Sequence, residues 1–78
     1  MRDLIEYIAR SLVDDPTQVR IEQTIQGSSI HFELEVAKED MGRVIGRGGR
    51  VANAIRALLR VAAARQDKRV SLDIVDPR

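Results

Sequence analysis

Between residues 30 and 36, Ile30, Phe32, Leu34 and Val36 alternate with His31, Glu33 and Glu35. Successive strand side chains point to opposite faces, so this period of two specifies a strand with one buried and one wetted face. The same pattern flanks it. Val19, Ile21 and Ile25 are apolar where Arg20, Glu22 and Thr24 are polar, and Val70, Leu72 and Ile74 alternate with Ser71 and Asp73. Three strands of this kind form a sheet covered on one side only, and every helix in the chain must share that side.

The helices follow from a change of period. Leu4, Ile5, Ile8 and Leu12 make a stripe at helical spacing, stopped by Asp14-Asp15-Pro16, because proline disfavours helical geometry in the residue before it. Gln26-Gly27-Ser28-Ser29 reads as a turn joining the first two strands in a hairpin. Asp40 is placed as an N-cap for a short helical piece, Met41 to Ile45, and a long helix is predicted from Arg50 to about Arg65, rich in Ala, Leu and Arg. Gly42 has a packing reading, in which it lets the short helix approach its neighbour. Gln66 to Arg69 is a polar connection. The predicted order is α-β-β-α-α-β, an α+β fold with a three-stranded mixed sheet, because the two-helix crossover returns the last strand parallel. With no repeat or linker, residues 1–78 are expected to form a single domain.

Composition excludes several function classes. There is no cysteine and one histidine, so neither a disulfide framework nor a metal site is expected, and no cofactor is implied. No apolar run approaches membrane-spanning length, and the predicted location is the cytoplasm. His31, Glu33 and Glu35 share a strand's polar face without a pocket to split their pKa values, so they are assigned to solubility and no enzymatic activity is expected.

The formal net charge of +1 conceals a strong asymmetry. Between Met41 and Arg69 stand eight basic side chains (Arg43, Arg47, Arg50, Arg56, Arg60, Arg65, Lys68, Arg69) against Asp67 alone, whereas residues 1–40 carry four basic and nine acidic ones. Positive charge gathered in one segment is the footprint of a polyanion partner.

At the centre of that segment lies Gly46-Arg47-Gly48-Gly49, three glycines in four positions between two helices. Glycine opens dihedrals closed to other residues and lets a ligand approach the backbone. The amides at the start of the next helix lack intrahelical partners and suit an anionic oxygen, which makes phosphate the expected ligand. A Walker motif is excluded because Gly49 is followed by Arg50-Val51 and a helix precedes the loop. The spacing and context of a dinucleotide fingerprint are also missing. A helix, Gly-x-x-Gly, helix arrangement is the clamp that KH modules use on a nucleic-acid backbone.

Val44-Ile45-Gly46-Arg47-Gly48-Gly49 resembles the signature of the KH family, and the element order resembles its type II, prokaryotic topology over the whole chain. It departs from the family at Ala52, where a large aliphatic is usual, with Val51 beside it. The resemblance implies a non-enzymatic domain gripping single-stranded RNA through Gly46, Arg47, Gly48 and Gly49, with Arg43, Arg47, Arg50 and Arg56, and less directly Arg60, as phosphate contacts. Tyr7 and Phe32 are the only aromatics and give no stacking platform, so low sequence selectivity is expected. By its length and lead-in, the chain is similar to stand-alone bacterial KH proteins. That likeness implies an RNA chaperone or post-transcriptional regulator linked to cell shape and cell-wall homeostasis, with self-association or pairing with a second bacterial KH protein.

The long helix leaves a further option open. At 100° per residue its apolar side chains fill an arc of roughly 200°, twice an ordinary core stripe. Either the first helix covers the excess, or the part around Leu58, Leu59 and Val61 meets another chain. In the second case the domain is an interaction subunit whose RNA binding is secondary.

Overall fold

The computed structural model describes residues 1–76, and the predicted order is met: α1 (Arg2–Leu12), β1 (Arg20–Gln26), β2 (Ser29–Glu35), α2 (Met41–Ile45), α3 (Arg50–Ala64) and β3 (Arg69–Val75). Single 3-10 turns at Pro16–Gln18, Lys38–Asp40 and Arg47–Gly49 complete the path. This is the arrangement that the resemblance to type II KH domains implies. β2 is the central strand, antiparallel to β1 with Ile21 opposite Leu34, and parallel to β3 with Phe32 opposite Leu72. Gln26 pairs with Ser29, so the hairpin is closed by Gly27-Ser28, with Gly27 at the φ of +60° that such a tight turn needs.

The central strand obeys its period along its length: Ile30, Phe32, Leu34 and Val36 are buried, while His31, Glu33 and Glu35 lie on the half-exposed opposite face. Ile5 and Ala9 from α1, Val44 from α2 and Ile55 and Leu59 from α3 close over them. α1 packs on β1, α3 packs on β3, and α2 touches both helices. On its outer side α1 carries two exposed ion pairs around Glu6, to Arg2 at 3.5 Å and to Arg10 at 3.1 Å, each contributing a few tenths of a kcal/mol.

α3 ends in a Schellman-type cap. Lys68 N–H donates to Ala63 O at 2.9 Å and Asp67 N–H to Ala64 O at 3.2 Å, with Asp67 at a φ of +55°.

Two local expectations are corrected. Asp40 is not a side-chain cap for α2: its carboxylate makes no bond there and is buried, turned toward the segment just after α1. A carboxylate preceding a helix can serve either set of amides, and here the remote set takes it. The packing reading of Gly42 also fails, because a Cβ built on it meets nothing within 4 Å.

Candidate nucleic-acid interface

The glycine loop joins a five-residue helix to a fifteen-residue one through one 3-10 turn. Gly46 N–H closes α2 on Gly42 O at 2.9 Å, and Gly46 itself has φ 76° and ψ 169°, a region essentially restricted to glycine. A Cβ there would stand 2.6 Å from Val51 Cγ2 and 2.8 Å from Val51 N, so the departure of α3 is built against a bare Cα. Val51 takes the close contact, and Ala52, where the family usually has a large aliphatic, is buried beside it. Gly48 (φ 64°) and Gly49 (φ 81°) are left-handed, and a Cβ on Gly48 meets open space.

The amides are divided differently from the sequence expectation. Gly49 N–H donates to Gly46 O at 3.1 Å and Arg50 N–H donates to Arg47 O, so the donors nearest the start of α3 are occupied by the turn itself. Those of Arg47 and Gly48, at the exposed apex, make no backbone hydrogen bond among the described residues. The side chains of Arg47 and Arg50 stand exposed on either side with no acidic partner among the described residues. Two free N–H groups flanked by two free guanidiniums suit a phosphodiester.

Arg60 stands exposed further along α3 with no acidic partner among the described residues, whereas Arg43 and Arg56 are engaged within the fold. Arg43 reaches Asp14 Oδ2 from Nη2 at 3.1 Å and lies 3.6 Å from Asp40 Oδ1 through Nε, so it faces α1's exit rather than the loop. Arg56 donates from Nε to Leu72 O at 3.0 Å and from Nη1 to Asn53 Oδ1 at 3.2 Å. It thereby crosses the free edge of β3. On one side of it lies a groove that opens beside the loop, lined by Ile45, Gly49, Ala52, Ile74 and Val75; on the other, a second depression is lined by Leu59, Arg60, Val70 and Leu72. Asp73 borders both. The apolar walls suit bases, and the loop at one end suits the backbone that carries them.

The far face of the sheet is unsuited to a polyanion, since Glu22, Glu33 and Glu35 line a depression there. His31, expected to be simply solvated, is tied across β2 and β3: Nδ1 lies 2.6 Å from Ser71 Oγ and Nε2 3.5 Å from Asp73 Oδ2. Period-two patterning had placed these side chains on one face, and the parallel register brings them together.

The apolar arc of α3 is resolved into two parts. Ala52, Ile55, Leu59 and Ala63 face the core. Leu59, expected with its neighbours to meet another chain, is instead buried in the core and already covered by the sheet. Leu58 and Val61 are 52% and 57% exposed, so α1 does not cover that flank.

Among the described residues no group of side chains could hold a metal ion, and no helix is long and apolar enough to cross a membrane. Comparison with known proteins identifies the family. A family model described as "KhpA/KhpB, KH domain" matches residues 2–74. Proteins named "RNA-binding protein KhpA" are similar along their whole length. That of Halalkalibacterium halodurans is 49% identical over 97% of this chain and 100% of its own; that of Clostridium acetobutylicum is 48% identical over 96% and 100%. The Chlamydia pneumoniae protein is 44% identical over the full length of both. A signature loop in its type II setting, a match over nearly every residue and relatives of equal length lead to one conclusion: the chain belongs to the KhpA/KhpB family of KH domains, a non-enzymatic class.

Proposed function

We propose that this chain binds single-stranded RNA, gripping the phosphodiester backbone at Gly46-Arg47-Gly48-Gly49 while the bases lie along the groove between α2, α3 and the edge of β3. The observation that carries this reading is the loop apex, where, among the described residues, the Arg47 and Gly48 amides are unbonded and the Arg47 and Arg50 guanidiniums are unpaired. The names of the similar proteins support it. Contacts to phosphate position a strand without reading it, and the groove walls offer shape and a few polar groups rather than a stacking platform. Low sequence selectivity is the consequence, which suits an RNA chaperone or post-transcriptional regulator in the cytoplasm, and the family resemblance ties such a role to cell shape and cell-wall homeostasis.

Replacing Arg47 and Gly48 together by Asp tests the assignment. Gly48 tolerates a side chain sterically, and aspartate enters left-handed backbone more readily than most residues, so the variant is expected to fold. It should lose affinity for a labelled single-stranded RNA with its circular dichroism unchanged. A folded double variant that binds RNA as the parent does would refute the loop's role.

A second reading rests on the exposed Leu58 and Val61. In it, the uncovered flank of α3 meets a second copy of the chain or another KH protein of the family, and RNA binding is secondary. Leu58→Glu should then convert a dimer to a monomer in sedimentation. A parent chain that is already monomeric at micromolar concentration removes this reading.

A further inference from the structure

The geometry points to Asp40 as the positioning residue of the glycine loop: its carboxylate pins the start of α2 to the chain leaving α1, and so fixes where Gly46–Gly49 stands. This inference rests on the reading of that loop as the RNA-backbone clamp.

Asp40 is 2% exposed and is the one buried polar or charged side chain among the described residues. Its two oxygens take two different backbone donors, Asp14 N–H on Oδ1 and Asp15 N–H on Oδ2, both at 3.1 Å. These amides lie 26 and 25 residues away in sequence, just beyond the end of α1. The Arg43 guanidinium sits over the pair, 3.1 Å from Asp14 and 3.6 Å from Asp40. The remote end is itself held: the Asp15 carboxylate accepts from Thr17 N–H at 3.2 Å and from Gln18 Nε2 at 2.8 Å. A buried carboxylate is costly unless its bonds are made, and removing one partner leaves the other groups unsatisfied.

Such a pin matters because the helix it anchors cannot hold its own place. α2 has five residues, far below the length at which a helix is stable alone in water, so its position must come from tertiary contacts. Val44 supplies the apolar one and Asp40 the directional one. From Asp40 to Gly46 there is no flexible segment: α2 begins at the next residue and ends in the Gly46 N–H to Gly42 O bond. A tilt of α2 at Asp40 is therefore carried to the loop apex and to Ile45, which lines the groove. In this arrangement Arg43 acts through Asp40 and Asp14, whereas Arg47 and Arg50 touch phosphate.

The test uses RNA binding by fluorescence anisotropy across a salt series, with Asp40→Asn, Asp14→Asn, Arg43→Gln and the Arg47/Gly48 double Asp variant. Removing an arginine that contacts phosphate on a single strand lowers the slope of log K against log salt by about 0.7, whereas a positioning residue lowers affinity and leaves the slope alone. Asp40→Asn should weaken binding about tenfold with the parent's slope, since an amide offers one good acceptor where two are needed and loses the charge that holds Arg43. The amide resonances of Gly46, Gly48 and Gly49 should shift while core methyl resonances stay in place. Arg43→Gln should show a smaller loss with unchanged slope, and Asp14→Asn, which keeps the backbone N–H that Asp40 accepts, is the control for lost surface charge.

Both aspartate substitutions remove negative charge near the site, and charge alone predicts tighter binding. A folded Asp40→Asn that binds as well as the parent or better, beside a double Asp variant that does not bind, overturns the positioning role and leaves the clamp standing. A double Asp variant that still binds overturns the clamp instead. If Asp40→Asn fails to fold, Arg43→Gln decides: parent affinity, or a slope reduced by about 0.7, overturns the proposal, and weakened binding at constant slope supports it.

Discussion

Gly46 and Gly48 are separated by one residue and have opposite tolerance for a side chain. At Gly46, a methyl group enters backbone that L-residues essentially avoid, at about 1–3 kcal/mol. It also lands 2.8 Å from the Val51 nitrogen and 2.6 Å from its Cγ2, where backbone and not a flexible side-chain tip must give way. Overpacking of that kind adds about 1–3 kcal/mol, so Gly46→Ala is expected to lose about 2–6 kcal/mol. At Gly48 the same methyl meets nothing within 4 Å, and the left-handed backbone alone costs about 1–2 kcal/mol. For a domain of this length, whose total stability is on the order of 4–12 kcal/mol, the first is a large fraction of the whole and the second is not. Urea denaturation followed by circular dichroism reads both as midpoint shifts at constant m-value. Gly48→Ala should bind RNA with near-parental affinity, and Gly46→Ala should lose both stability and binding. Equal midpoints for the two variants would refute the claim that α3 departs against a bare Gly46.

Gly42→Ala should stabilise the fold by about 0.5–1 kcal/mol, since the helical site is open to a methyl; a lower urea midpoint would show a contact that is absent from the structure. Asp67→Gly should add about 1 kcal/mol by relieving the left-handed cap of α3, read in the same assay. Leu59→Ala should cost about 2–5 kcal/mol and Leu58→Ala less than about 0.5, and comparable losses would contradict the division of the arc. Hydrogen bonds from Thr17 and Gln18 hold the Asp15 carboxyl below the ordinary aspartate value of 3.8. A group depressed on folding contributes stability above its unfolded pKa, and that contribution fades as pH falls through the folded value. An NMR titration should place the Asp15 midpoint under 3.8, and Thr17→Val should raise it.

Most of the architecture was legible because two periods rarely compete in this chain. Ile30 to Val36 fits only a strand buried on one face, and once two helices intervene before Val70 the parallel return is the natural one. The misreadings of Asp40, Arg43 and Arg56 share a physical origin: each concerned a bond made between residues far apart in sequence. Asp40 stands where a cap would stand, yet its acceptors serve amides after α1 that no local pattern announces. Arg43 and Arg56 counted as free charge, although one answers Asp14 and the other a carbonyl of β3. The helical wheel of α3 defined its apolar arc but not the arc's centre, and Leu59, near that centre, was grouped with its exposed neighbour Leu58. In the loop itself, glycine spacing and charge were readable. Which amides the turn would occupy was not, since that depends on the dihedrals of Gly46 and Gly49.

The bond from Arg56 to Leu72 O has a meaning beyond the groove it divides. A three-stranded sheet has two open borders, and an outer strand of apolar alternation is the natural template on which another chain adds itself and aggregation begins. α3 lays a guanidinium across that border, satisfying one outward carbonyl and setting a fixed positive charge where an incoming strand would have to lie. Another copy of the chain adding to that border would have to displace the guanidinium and bury its charge.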